Sequence, residues 1–173
     1  MRADARRNRE LIIDAALDRF AGCGPTASME EIARAAGLGV GTLYRHFPDR
    51  RALVEEIAVR SLHCLRTGLR DLSEQDVPRH EVITRYVGYC AGQPLALIKA
   101  LAEENEAPEE RLALQDEVNG LLEALARQAQ DEGTIRRDIT PREVVELLSI
   151  VVCRPGARAD DALTRVTLDG LRP

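Results

Sequence analysis

An all-α protein with about nine helices is predicted by three features. Aromatic residues make up only 3% of the 173, while Leu, Ala and Val are abundant, a composition that packs helix against helix. Two capping boxes, Ser28 with Glu31 and Thr140 with Glu143, mark helix starts far apart in the chain. Between Ser28 and Phe47 the run SMEEIARAAGLGVGTLYRHF places two short helical patterns either side of a glycine-bounded turn, a helix-turn-helix pattern. The predicted organisation is a three-helix domain over residues 1–51, which holds this pattern, and a larger helical domain over residues 52–173.

The chain opens with Arg2, Arg6, Arg7 and Arg9. This arm has two readings, a solvated tail or an extra contact to phosphate and the minor groove. In the first helix Ile12, Ile13, Ala16, Leu17 and Phe20 fall within a stripe of about 140°, which packs inward. Gly22, Gly24 and Pro25 are expected to break it. Thr26 and Ser28 then offer hydroxyls at the entrance to the second helix, where phosphate is a natural partner. Ile32, Ala33 and Ala36 line that helix's apolar face, and Gly37 suits the left-handed position after its end.

The third helix begins near Val40 and reaches Phe47, where Pro48 stops it. At about 100° per residue Leu43 and Phe47 share one side, with Gly41, Thr42 and Arg45 opposite and Tyr44 and His46 flanking. A helix that lies in a major groove needs this pattern. Gly41 permits close approach, Arg45 can donate twice to a guanine edge, and the Thr42 methyl can meet thymine. Tyr44, His46 and Arg50 stand at the edges, where phosphates lie, and Val40 at the helix start is a further candidate DNA contact. The competing reading is an ordinary amphipathic core helix; the glycine turn and the capping box favour DNA.

Asp49 caps a fourth helix of about twenty residues, Arg50 to Leu69, roughly 30 Å long. Residues 71–79 form a polar loop. Helical patterns follow at 80–91, 94–104 and 108–131, with Pro94 and Pro108 in first turns and Gly133 ending the last of them. Thr140 opens a helix to about Val152, and a final helix covers about 160–169. Candidate ligand contacts in this region are Leu62, His63, Arg66, Tyr86, Tyr89, Cys90 and Asn119, a few polar groups among apolar walls. Each has an equally good reading as a satisfied core residue. The helix from 144 to 152 is apolar nearly all round and must bury both faces. Val144, Leu147, Leu148 and Val151, with Leu163 and Val166 from the last helix, are the candidate dimer contacts.

Three segments carry a more specific likeness: IIDAALDRFAGCG, SMEEIARAAGLGVGTLYRHF and PDRRALVEEIA. From about Arg9 to Ile57 they resemble the DNA-binding region of the TetR family of bacterial transcriptional regulators. The resemblance implies a homodimer, a DNA operator and a helical ligand domain. Two departures stand out. Arg50 takes a position where many members carry lysine, and Gly39 and Gly41 leave few base-reading side chains, so that specificity leans on Arg45 and on DNA shape.

The net charge of −5 is unevenly spread. Residues 1–51 hold nine Arg and seven Asp/Glu, net +2, against −7 for the remainder. That asymmetry suits a nucleic-acid-binding end on an acidic remainder. The four cysteines Cys23, Cys64, Cys90 and Cys153 form no C-x-x-C pair and no ligand spacing with His46, His63 or His80, so no metal site or other cofactor is expected. Buried thiols are the default reading. No nucleophile–base spacing or phosphate loop argues for an enzyme, and no signal peptide or membrane span is read, so a cytoplasmic protein is expected. The function that follows is a ligand-responsive regulator, read as a repressor. It binds a near-palindromic operator as a dimer and is released by an unidentified small molecule. The alternative is a helical protein that binds DNA without sequence preference, or binds other proteins, with no effector response.

Overall fold

The computed structural model describes residues 2–23, 26–91, 93, 95–103 and 107–173. Among them the regular elements are all helices: α1 (Arg2–Cys23), α2 (Met29–Ala35), α3 (Val40–His46), α4 (Arg50–Ser73), α5 (Arg79–Ala91), α6 (Leu95–Glu103), α7 (Glu109–Asp131), α8 (Pro141–Val152) and α9 (Ala162–Gly170). The chain divides into two compact units, Met1–Ala58 with Leu97–Glu106, and Val59–Ala96 with Ala107–Pro173.

In the first unit α1, α2 and α3 enclose Ile12, Ile13, Ala16, Phe20, Ile32, Leu43 and Phe47, all essentially out of contact with solvent. The start of α4 adds Leu53, Val54, Ile57 and Ala58 to the same core. In the second unit the core is built by α5, α7 and α8, with Leu65 and Leu69 from α4. Val82, Ile83, Tyr86 and Val87 on α5 meet Val118, Leu122, Leu125, Ala126 and Ala129 on α7 there. These faces follow the 3.6-residue period of each helix.

Several boundaries differ from the sequence reading, each for a local reason. The arginine arm is helix from Arg2 onward, because Arg and Ala are strong helix formers and Asp4 stands in the first turn. Helix α1 also runs through Gly22 to Cys23. The expected break at Gly24-Pro25, the Cys23 side chain, Pro94 and the end of the 94–104 pattern lie outside the described residues. Helix α4 continues to Ser73, whose hydroxyl bonds back to the Leu69 carbonyl at 2.7 Å, so the connection starts at Glu74. Pro108 is the residue before α7 rather than part of its first turn. The thiols are not uniformly buried: Cys90 is, Cys153 is half-buried and Cys64 is exposed.

Candidate nucleic-acid interface

The turn between α2 and α3 is held from both ends. At the start of α2 the Ser28 hydroxyl accepts from the Glu31 N–H at 3.2 Å, and the Ser28 N–H donates to the Glu31 carboxylate at 2.7 Å. That backbone bond, with the Ser28 side chain next, holds the Glu31 carboxyl below its ordinary value. At the other end Gly37 takes a φ of +68°, where a side chain would be strained. The Leu38 N–H reaches the Ala33 carbonyl at 3.0 Å and the Gly37 N–H reaches Arg34 at 3.1 Å, the double bond of a Schellman end. Leu38 packs on the core, which fixes where α3 departs.

Helix α3 then has an inside and an outside. Leu43 and Phe47 point into the core. Gly41 and Arg45 are exposed, Thr42 and His46 half-buried, and Val40 and Tyr44 stand out with 43% and 42% of their surface accessible. A Cβ added at Gly39 or Gly41 would meet nothing within 4 Å, so neither glycine is demanded by packing. The face is small and open, carries Arg45, and is flanked by Tyr44.

Two arginines brace this platform from behind. Arg9 lies four residues before Ile13 and seven before Ala16, in register with the buried stripe of α1. Its guanidinium stacks over the Phe47 ring at 4.5 Å, donates to the His46 carbonyl at 3.3 Å and pairs with Glu56 at 2.6 Å. It thus ties the end of α3 to both α1 and α4. Arg9 was read as part of the arm, and its register was the signal for this role. Arg50 stacks over Phe20 at 4.7 Å and donates to the Ala27 carbonyl at 2.5 Å. One nitrogen of its fork is therefore engaged by the segment that leads into α2, and the Ser28 oxygen accepts the cap bond, which leaves its O–H out of that bond. Thr26 is exposed just ahead of them.

In the second unit the ligand candidates form two groups. Tyr86 and Cys90 are buried on α5, and burial drives the tyrosine hydroxyl far above its usual range and the Cys90 thiol up to about 12, so both stay neutral. The Tyr89 ring lies 6.3 Å from that of Tyr86 and presses on Gly68, where an added Cβ would be 2.8 Å from a ring carbon. Its hydroxyl donates to the Cys64 carbonyl at 3.3 Å. On the second group, Arg66 donates to Glu117 at 2.9 Å and lies 3.1 Å from His63 Nδ1, while Arg70 reaches the other Glu117 oxygen at 2.7 Å. Leu62 packs half-buried on the core, and Asn119 is half-buried about 200° round α7 from Glu117. Among the described residues no group of three or more His, Cys, Asp or Glu is arranged to hold a metal ion.

The dimer candidates divide as well. Val144, Leu148 and Val151 are buried in the unit's own core, with Val145 beside them. Leu147, Leu163 and Val166 are exposed, joined by Ile150; Val166 leaves 69% of its surface accessible and Ile150 65%. Only one stripe of α8 enters that core, so the expectation that both of its faces are buried is not met within the chain: Leu147 and Ile150 on its other side are left outside.

Comparison with known proteins accounts for both units. Residues 12–57 match the family described as bacterial regulatory proteins, tetR family, and residues 80–173 match the domain described as transcriptional regulator SbtR-like, C-terminal domain. The chain belongs to the TetR family. A TetR transcription regulatory protein from Mycobacterium vanbaalenii is similar over 99% of both chains, at 29% identity and a TM-score of 0.72. A TetR transcriptional regulator from Streptomyces coelicolor is 31% identical, over 95% of this chain and 98% of that one, with a TM-score of 0.65. An HTH-type transcriptional regulator of Staphylococcus aureus (strain USA300) is 34% identical over 90 residues, 51% of this chain and 49% of the relative. The chain thus spans about half the length of the curated relatives it matches. A gamma-butyrolactone receptor shares the fold, with a TM-score of 0.77 at 22% identity over 98% of this chain and 90% of that one. No helix among the described residues is long and apolar enough to cross a membrane.

Proposed function

We propose that this TetR-family chain is a ligand-responsive repressor that binds a near-palindromic operator as a homodimer, in the cytoplasm. The observation that carries the reading is the outer face of α3: Gly41 and Arg45 exposed on a helix whose other side is locked by Leu43 and Phe47. Arg45 donates to a guanine edge, the Thr42 methyl meets thymine, and Gly41 lets the backbone come close. Val40, Tyr44, His46 and Thr26 border the groove, with Ser28 and Arg50 behind them as parts of the platform. The exposed Leu147, Ile150, Leu163 and Val166 supply the contact with a second copy, which sets two α3 helices one turn of DNA apart, roughly 34 Å. With so few base contacts, part of the specificity comes from the shape of the DNA.

Release follows from ligand binding in the second unit. Helix α4 begins among first-unit residues and ends among second-unit ones, which makes it the path for coupling. To swing the population from almost wholly bound to almost wholly free, the ligand must prefer one state by about 5.5 kcal/mol. The groups around Tyr86–Tyr89–Cys90 and His63–Arg66 lie on or against α4 and are placed to report to it. Footprinting of the purified protein on the promoter beside its own gene tests the DNA reading. A protected near-palindrome is the expected result, and uniform protection of any sequence would defeat it.

A further inference from the structure

Away from those two groups the second unit holds a crevice of about 210 Å³ between the start of α5, the α7–α8 turn and α9. Its floor is apolar and firm. Ile83, Ile135 and Leu171 are buried, and Leu168 borders them. The turn that brings Ile135 here closes on Gly133, at φ +70°, with the Thr134 and Ile135 N–H groups both on the Ala129 carbonyl at 2.9 and 3.2 Å. The Arg136 N–H donates to the Leu171 carbonyl at 2.8 Å and so pins the end of α9 against that turn. Ala159 closes one side, 3.8 Å from where a Cβ on Gly88 would stand.

The rim is cationic although the chain as a whole is acidic. The backbone N–H of Arg165 bonds to the Asp161 carbonyl at 3.0 Å, but its guanidinium has no hydrogen-bond or ion-pair partner among the described residues. Arg172 meets Asp169 only at 3.9 Å, the outer limit of ion pairing, and the two side chains are 67% and 72% exposed. His80 completes the lining, with its Nδ1 buried and without a hydrogen-bond partner. Two guanidinium forks set beside an apolar floor fit an anionic head on a short hydrocarbon body. A crevice of this size admits a single ring or a short chain. On α9, Leu168 lies roughly 140–160° round the axis from Leu163 and Val166 and Arg165 roughly 100–160°, while Asp169 stands only about 60° from Val166.

We propose that this crevice binds a small organic acid, its carboxylate held by Arg165 and Arg172 and its body laid on Ile83, Ile135 and Leu168. The inference deepens the effector reading above, and rests on it only for what binding does to DNA affinity. Calorimetric titration of the full chain, without DNA, with benzoate, salicylate, hexanoate, benzamide, acetate and inorganic phosphate tests it. At least one of the three larger acids is expected to bind with a Kd of about 0.1–1 mM. Arg165→Ala and Arg172→Ala should each weaken it about tenfold, with circular dichroism unchanged. Benzamide, acetate and phosphate should bind at least about tenfold more weakly, since each lacks either the charge or the body.

Failure of all three acids to bind overturns the proposal. So does binding that both arginine substitutions leave intact, or that benzamide or phosphate equals. Operator binding measured separately keeps the two readings apart. An acid that binds here without changing DNA affinity supports the crevice and counts against release by it, while intact operator binding with no acid bound removes the crevice alone.

Discussion

The molecule leaves two faces of opposite character uncovered. One is the outer side of α3, with Gly41, Arg45 and Tyr44; the other is the apolar edge of α8 and α9, with Leu147, Ile150, Leu163 and Val166. Both sit on short helices, of seven, twelve and nine residues, whose inner sides are core. The difference lies in what each outer side lacks. An exposed arginine in water is already satisfied, so the α3 face costs nothing when bare, and it gains when a polyanion arrives whose condensed counterions it can release. Exposed isoleucine and valine are not satisfied, and the second face gains by meeting another apolar surface. One face is satisfied as it stands, while the other would gain from being covered.

Placing charge on the apolar face separates them most sharply. Ile150→Asp with Val166→Asp removes two side chains per copy, and full burial of such a side chain is worth about 1.5–3 kcal/mol. Sedimentation should show the natural chain as a dimer and the double variant as a monomer, with Kd raised by roughly a thousandfold or more. Operator affinity should collapse with it while the helical signal stays. A natural chain that sediments as a monomer would remove the contrast altogether. Arg45→Ala acts on the other face: the dimer is untouched, operator affinity drops by about 1–3 kcal/mol, and discrimination relaxes at a single base pair. Competition across a base-substituted operator series reads this out, and a uniform loss at every position would reassign Arg45 to phosphate.

The contrast also explains what was legible in the sequence. Buried faces announce themselves by period, so the inward Leu43 and Phe47, the stripe of α1 and both capping boxes could be read directly. Turn chemistry was equally open, because only a glycine sits comfortably at φ +68°. What periodicity cannot resolve is a helix apolar on every side. Val144, Leu148 and Val151 have the same chemistry as Leu147 and Ile150, and only packing against α5 and α7 decides which set faces inward. Arginines hide in the same way. Arg9 and Arg50 looked like surface cations, yet each lays its planar guanidinium on an aromatic ring and spends its donors on backbone carbonyls. The crevice beside α9 was invisible because its lining comes from residues some ninety positions apart, brought together by a turn and a chain end.

Arg50 offers a sharper division within the DNA-binding unit, between residues that touch DNA and residues that hold the ones that do. Its stacking on Phe20 and its bond to Ala27 predict that Arg50→Ala lowers folding stability by about 1–3 kcal/mol. Chemical denaturation measures that loss, and the salt dependence of DNA binding should keep its slope. A slope shallower by about one, with stability unchanged, would return Arg50 to phosphate. Gly41→Ala reverses the pattern. The added methyl meets nothing in the protein, so the helix should gain up to about 1 kcal/mol. Operator binding should nevertheless weaken, because the methyl then stands between the backbone and the bases. Unchanged binding would mean that the α3 backbone does not approach the groove at this point.

The smallest effect compares the two capping boxes, one under each exposed face. Both carboxylates are held below the ordinary glutamate value of 4.5: Glu31 by the Ser28 backbone first, Glu143 by that of Thr140. A folded pKa below the unfolded one means that the unfolded chain binds the proton first. The contribution is therefore fully present above about pH 4.5 and is lost as pH falls through the lowered folded value. Gln at either position keeps an oxygen for the cap but takes up no proton in this range, so Glu31→Gln and Glu143→Gln should each flatten the acid side of the stability profile while changing little near neutrality. Thermal melts between about pH 7 and pH 3 resolve the change. Helix α2 and helix α8 lie in different units, so the two effects should add in the double variant. Protection of each helix against hydrogen exchange near pH 4 should fall only where the glutamate is retained. Equal acid sensitivity in the natural chain and the double variant would assign the loss to other depressed carboxylates, of which Asp161, held by the N–H groups of Thr164 and Arg158, is the foremost.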